Sequence, residues 1–455
     1  MPSITQVQTL EQPRIQAPLL EQRFAVLKRS LVKSEHKQKV IESYDQLVKV
    51  LEHEADFIAK HGPSMVPQID FNEVQQNGGA LPADFAKLVR ERGCVILRNV
   101  VPEEQATKWE QDLIDYTNRH RDTSGTPKFW SLYWTPPQVQ IRSHPRVMQA
   151  MDCISQLWTV NDPSVPVDLS SQVVYPDRFR IRLPSKEAEY TLPAHLDSGA
   201  IERWEDEANR SNYAAIFEGN WQEWDGWVAD KRIDASSDLY HTGNSCSCWR
   251  SMQAWLSLSH CNTGEGTLRL LPSFKASVAY MMLRPLFENE VFNDSQPTFP
   301  GATPGLTQFK PTTDLHPHLL MEKSVVGIPP VRPGDYAFWH CDLVHEVDKF
   351  HPGTRNSTAV YHPCVPLTPY NVDNLVHVRD AFNACAIPRD FVEAGAPALK
   401  EPEKEHVDHG AKRKNVLSNE GLRAIGLKPF DTDEDGLTDG QREVRKLANA
   451  KLGFA

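Results

Sequence analysis

Between Phe24 and Ile58 the apolar residues Phe24, Leu27, Leu31, Ile41, Tyr44, Leu47, Leu51 and Ile58 recur at steps of three or four, or multiples of these. Charged residues fill the gaps, so the pattern predicts an amphipathic helical region whose apolar stripe must dock. Docking onto the chain's own domain is the expectation, ahead of a coiled coil with a partner. A second helix is predicted over 83–92, stopped by Gly93 and followed by a short strand at 94–97. Pro102-Glu103-Glu104 then opens a helix running through Tyr116. From about residue 170 short β-type runs take over, at 179–183, 254–258, 267–271, 324–328, 336–339 and 358–361. Turns with Pro, Gly or Asn separate them, which predicts an antiparallel barrel or sandwich. Long connections at 200–247 and 283–322 interrupt the series, and such loops usually carry specificity. The stretch 395–415 is charged and poor in apolar residues, a solvated linker, before a last helix at roughly 439–451.

Composition narrows the classes of function. The 455 residues are 40% hydrophobic, as in a globular protein, and 49 Lys plus Arg against 60 Asp plus Glu give a charge of -11. That balance argues against nucleic acid as the main partner but leaves room for a local basic pocket and an anionic small substrate. The start, MPSITQVQTLEQPRIQ, has neither the basic nor the apolar part of a signal peptide. No apolar run approaches the ~20 residues of a membrane span. The eight cysteines are scattered apart from Cys246 and Cys248, and are expected to be reduced and mostly buried, as in a cytoplasmic protein.

The candidate chemistry starts at Ala194-His195-Leu196-Asp197-Ser198. His and Asp two apart on a strand point the same way, so both can reach one metal. Imidazole with carboxylate suits Fe(II), and a facial triad leaves positions open for other ligands. The same spacing occurs in His340-Cys341-Asp342 and His406-Val407-Asp408, so alone it is weak. The latter lies in the charged linker and reads as solvated surface. The former belongs to a stretch in which Arg332-Pro333-Gly334-Asp335 turns into an aromatic strand leading to His345. Ten residues beyond His345 come Arg355 and then Ser357.

This arrangement resembles the Fe(II)/2-oxoglutarate-dependent dioxygenase superfamily: HxD, a distal His, and an Arg about ten residues later. Gln253-Ala254-Trp255-Leu256-Ser257-Leu258 and Gly264-Glu265-Gly266-Thr267-Leu268-Arg269-Leu270-Leu271-Pro272-Ser273 resemble the phytanoyl-CoA hydroxylase-like branch. Tyr133-Trp134-Thr135-Pro136-Pro137 and Trp339-His340-Cys341-Asp342 are similar to the YbiU-like proteins of unassigned function. The resemblance implies iron ligands His195, Asp197 and His345. It also implies a 2-oxoglutarate carboxylate held by Arg355 with help from Ser357. Dioxygen would be the oxidant, ascorbate a stimulant, and succinate and carbon dioxide the by-products. His340, five steps before His345 along a strand, falls on the opposite face and is read as structural. Arg180, Arg182 and Arg269, with Tyr133 and Trp134, are candidate substrate residues; Trp204, Trp221, Trp224 and Trp227 are candidates for a lid or a barrel cap.

The expected fold is mainly β with flanking α: a double-stranded β-helix (a jelly-roll, cupin-like barrel) wrapped by N- and C-terminal helices. Its units would be a disordered lead (1–20), a helical region packing on the barrel (21–120), the oxygenase core (121–395), and a linker with a helical extension (396–455). A cupin-like metal enzyme without 2-oxoglutarate, an isomerase, or a non-catalytic barrel are the alternatives. Asp431-Thr432-Asp433-Glu434-Asp435-Gly436 looks like a calcium loop, but Arg442 stands where the bidentate Glu belongs, so no calcium is expected.

Overall fold

The computed structural model describes residues 15–120, 125–126, 129–189, 191–243, 245–393 and 402–454. The predicted disordered lead therefore falls largely outside the described residues; at its end Leu20 donates its N–H to the Pro297 carbonyl (2.8 Å). The predicted amphipathic region forms two helices, Gln22–Leu31 and Lys37–His61. Their stripe, including Phe24, Leu31, Tyr44, Leu47, Leu51 and Ile58, is buried against the chain's own body. Tyr44 stacks on Phe287 (3.7 Å between centroids) and Tyr280 (5.7 Å), which places the long helix against Phe274–Leu283.

The architecture is mixed α/β, with several sheets and a helical part. An eight-stranded sheet runs in the order Gln68–Asp70, Cys94–Arg98, Tyr336–His340, Met252–Ser257, Ser357–Tyr361, Phe179–Arg182, Phe129–Trp130, Gly125–Thr126. Only its first pair is parallel. A three-stranded antiparallel sheet joins Val326–Gly327, Leu268–Leu270 and His345–Val347. Single bridges extend it from His345 to His195, and from Leu196 to Phe309. Side chains of both sheets line one cavity of about 380 Å³.

Local chemistry explains how the central strands are fed. The helix Ala83–Arg92 ends where Gly93 takes a left-handed conformation (φ 72°), and the Gly93 N–H donates back to Val89 (2.8 Å). The chain then enters the almost wholly buried Cys94–Arg98. Gly334 (φ 91°) makes the turn before Tyr336–His340, and a Cβ there would lie 2.0 Å from the Val101 carbonyl oxygen.

The stretch read as a solvated linker is corrected from residue 402 on. Glu403 is buried and its two carboxylate oxygens accept the N–H groups of Tyr133 (3.0 Å) and Trp134 (2.8 Å). His406 is buried as well, bonded to the Tyr116 hydroxyl (2.7 Å) and stacked on His120. A hydrophilic composition hid these contacts because the buried groups are themselves polar. The final helix is Asp439–Leu452, opened by a Thr438–Gln441 capping box. All eight cysteines are buried and free. Among the described residues no helix is long and apolar enough to cross a membrane.

Candidate metal centre

His195 and Asp197 lie on the segment that bridges to the small sheet, and His345 is the first residue of that sheet's last strand. Backbone bonds between His195 and His345 (2.9 and 3.1 Å) hold the two histidines side by side, ring centroids 4.1 Å apart. Each Nδ1 is committed to a carbonyl: His195 donates to Pro193 (2.6 Å), His345 to Leu343 (3.0 Å). A carbonyl can only accept, so both rings donate from Nδ1 and turn Nε2 toward the centre. Asp197 completes the cluster, its oxygens 3.5 Å from His195 Nε2 and 4.0 Å from His345 Nε2. All three ligand atoms fall within 4.8 Å of one another.

Burial pulls the Asp197 carboxyl upward, but His195, Arg250 and His345 together overcome it and hold the group well below the ordinary carboxylate range. Burial, helped by His195, pushes the His345 imidazole down to about 3. A committed carboxylate and a neutral imidazole are the protonation states a divalent cation needs. Gln308, from a long connection, donates to Asp197 Oδ1 (2.7 Å), and Arg250 sits 3.4 Å from Oδ2. The turn out of the cluster is tight: Ser198 and Gly199 both have positive φ, and a Cβ on Gly199 would meet the Ser237 carbonyl oxygen at 2.6 Å.

His340 is separated from this centre, though not for the reason expected. Tyr336–His340 and His345–Val347 are strands of different sheets, joined by a turn, so no single strand face relates the two histidines. Both His340 nitrogens are used: Nε2 donates to the Gly226 carbonyl (3.1 Å) and Nδ1 accepts the Asp342 N–H (3.0 Å). Asp342 is itself bracketed by Arg203 (2.5 Å) and Arg232 (2.8 Å). His340, Cys341 and Asp342 thus come within metal-binding distance of one another, but form a buried ion-pair hub with no free imidazole lone pair.

The remaining candidates divide. Arg180 is buried, lines the cavity and reaches Ser357 Oγ at 3.4 Å. Its Nε has no hydrogen-bond partner, and among the described residues no carboxylate lies within ion-pair distance of it. Ser357 opens the neighbouring strand and is buried. Arg355 does not meet the expectation of a side chain aimed at the metal. It lies in the loop before that strand, is exposed and is not part of the cavity wall, because the strand begins only at Ser357. Arg182 is not a cavity residue either: Glu189 (3.1 Å) and the Asp348 carbonyl (2.6 Å) hold it. Arg269 is taken by Glu346 (2.8 Å) and the Val325 carbonyl (2.7 Å). Tyr133 and Trp134 are core residues clamped onto Glu403. Trp204, Trp224 and Trp227 are buried with their indole N–H groups on backbone carbonyls, and Trp221 is buried too; none of them lines the cavity.

Sequence reading missed Arg250, Gln308, Gln253 and the aromatic wall of Trp255, Trp339, Tyr361 and Phe391. Strand alternation could have found part of it. Trp339 faces Gln253 across one ladder and Tyr361 faces Trp255 across another, so each pair shares a face. Gln308 comes from a loop that carries no such periodicity.

Two sheets that line one cavity, and a convergent His/Asp/His cluster at its wall, define a mixed α/β protein with a candidate metal site. The chain belongs to the Gig2-like family, whose model matches residues 18–427. It is 29% identical over 354 residues to the uncharacterized protein YbiU of Escherichia coli K12, covering 74% of this chain and 82% of that one. Among solved structures it is similar to GlcNAc Inducible Gene 2 of Candida albicans (36% identity, TM-score 0.88, 96% of each chain). It also resembles a hypothetical protein of Escherichia coli (25% identity, TM-score 0.77, 91% of this chain and 99% of that one).

Proposed function

We propose that this protein is a non-haem Fe(II)- and 2-oxoglutarate-dependent oxygenase acting on a small molecule in the cytoplasm. In this reading the two sheets are the layers of a double-stranded β-helix, and His195, Asp197 and His345 hold the iron. One observation carries the proposal: two imidazole Nε2 atoms and a carboxylate converge on a cavity that also holds a buried guanidinium with no carboxylate of its own among the described residues. When bound, iron and 2-oxoglutarate would supply the activation of dioxygen, with succinate and carbon dioxide released as the substrate is oxidised.

What the chain's own residues do follows from their positions. Gln308 and Arg250 fix the orientation of Asp197 and keep it ionised. Arg180, not the exposed Arg355, is the group placed to receive a carboxylate of the cosubstrate, with the Ser357 hydroxyl beside it. An uncompensated buried cation is costly, so an anion that pairs with it would be strongly favoured. Trp255, Trp339 and Tyr361 wall the remaining space and exclude water.

The test is anaerobic titration of the iron-loaded protein with 2-oxoglutarate, followed by the metal-to-cosubstrate charge-transfer absorbance. Arg180→Met should weaken binding by about 1.5–3 kcal/mol, roughly one to two orders of magnitude, while Arg355→Ala leaves it near wild type. No absorbance change in wild type that binds iron would favour a cupin-like metal enzyme without this cosubstrate. Equal loss in both variants would reject the assignment to Arg180.

A further inference from the structure

Gln253 sits on the central strand Met252–Ser257 and lines the metal cavity. It is only 5% exposed, yet among the described residues nothing hydrogen-bonds its carboxamide, whose oxygen and nitrogen both keep surface in the cavity. A carboxamide so deep normally has partners, because leaving it unmatched costs free energy. Its neighbours are rings. Trp339 lies directly across the ladder from Gln253, and its ring is 5.2 Å from that of His345. Trp255, two residues along the same strand and so on the same face, lies opposite Tyr361. The polar group is set in an aromatic wall beside the metal ligands.

The charges of the same wall narrow what can bind there. Asp177 takes Arg178 (3.3 Å), and Asp390 accepts the Tyr175 hydroxyl (2.8 Å) and the Ser247 N–H (2.7 Å). Asp197 is held by Arg250 and Gln308. Of the wall's arginines only Arg180 lacks a carboxylate among the described residues, and in the oxygenase reading it takes the cosubstrate. Arg180 faces Ala359, and Ala359 faces Ser257. Ser257 is four residues from Gln253 along the strand, roughly 13 Å at about 3.3 Å per residue. The Trp255–Tyr361 pair lies between the two rows. A carboxylate on Arg180 is therefore held well away from Gln253, and the carboxamide is left for the substrate.

We propose that Gln253 is the specificity-determining residue of this cavity and that the substrate is a neutral amide. Gln253 Oε1 accepts the substrate's N–H and Nε2 donates to its carbonyl, while Trp255, Trp339 and Tyr361 hold an apolar or flat body. An amide edge matches donor and acceptor at once, whereas a single hydroxyl or carbonyl leaves part of the carboxamide unpaired. A charged group would lose its water without gaining a counter-charge. The inference rests on the oxygenase reading in giving Arg180 to 2-oxoglutarate.

Anaerobic calorimetric titration of the full, iron-loaded chain with 2-oxoglutarate saturating tests this. Benzamide is the probe; acetophenone, with methyl in place of NH₂, and benzoate, which is charged, are controls of nearly the same shape. Benzamide should bind saturably and at least about tenfold more tightly than either, the scale of one or two lost hydrogen bonds. Gln253→Met, close in size but without donor or acceptor, should bring benzamide down to the level of acetophenone. The 2-oxoglutarate absorbance titration should be unchanged in that variant. No saturable benzamide heat at millimolar concentration, equal binding of benzoate, or a preference for benzamide that survives in Gln253→Met would overturn the proposal. So would a loss of 2-oxoglutarate affinity in Gln253→Met, which would assign the residue to the cosubstrate. Wild type that binds benzamide with this preference but gives no absorbance change with 2-oxoglutarate would support the amide site and reject the oxygenase reading.

Discussion

At the scale of single residues, the assignment of the metal ligands turns on where two imidazole protons sit. His195 and His345 spend Nδ1 on a carbonyl and keep Nε2 free, whereas His340 spends both nitrogens. Replacing His195, Asp197 or His345 by Ala should therefore abolish most Fe(II) or Co(II) binding, with little change in melting temperature. These side chains sit on a cavity wall and contribute little to packing. His340→Ala should do the reverse. It deletes a buried ring stacked on Trp158 and leaves the Gly226 carbonyl and the Asp342 N–H unpaired, a loss of about 2–4 kcal/mol. Metal titration and thermal melts of the four variants separate the two roles. The distal-ligand assignment fails if the His345 variant keeps its metal and the His340 variant loses it.

At the scale of elements, the acidic loop before the last helix shows how a motif is decided by its neighbours. Arg442 donates to the Thr432 carbonyl, and Arg445 takes Glu434 and the Asp431 carbonyl, so fixed cations already engage oxygens a calcium ion would need. Calorimetry should show no micromolar calcium site in the wild type; one that disappears in Asp433→Ala would refute this. Arg442 was legible in the sequence, Arg445 was not, because its partner Asp168 is 277 positions away. The same contrast runs through the fold. Helices and strands with a local period, such as Ala83–Arg92 and Tyr336–His340, were readable with near-correct bounds. His195 and Asp197 lie side by side, His195 Nε2 3.5 Å from Asp197 Oδ1, because two residues so close in the chain need only local backbone to meet. The Arg355 expectation failed because a fixed count from His345 ignores where the strand begins. Ser357 is its first residue, and Arg180 on the paired strand occupies the cavity instead. Gln308 and Arg250 were invisible because only the folded loops bring them to Asp197.

At the scale of the whole molecule, the C-terminal segment is tied to the body by a buried carboxyl group. Glu403 receives the N–H groups of Tyr133 and Trp134, at the start of the Thr135-capped helix Pro136–Arg142. Burial pushes its carboxyl up to about 7, although those two bonds and Arg142 pull the other way. Because the folded value lies above the ordinary one near 4.3, the folded state holds the proton more tightly than the unfolded chain. This stabilisation is complete below the unfolded pKa and is lost as pH rises through about 7, with a slope of up to about 1.4 kcal/mol per pH unit. Glu403→Gln cannot titrate, and it sets an amide NH₂ against one backbone N–H, so it should cost about 1–3 kcal/mol at pH 5. Raising the pH from 5 to 8 should then narrow the gap, because only the wild type loses stability through this group. Urea denaturation of both proteins across that range measures it, with the difference between them cancelling the titrations they share. A gap that widens toward pH 8 would mean that the two N–H donors outweigh burial, and that Glu403 clamps the segment as a stabilised carboxylate.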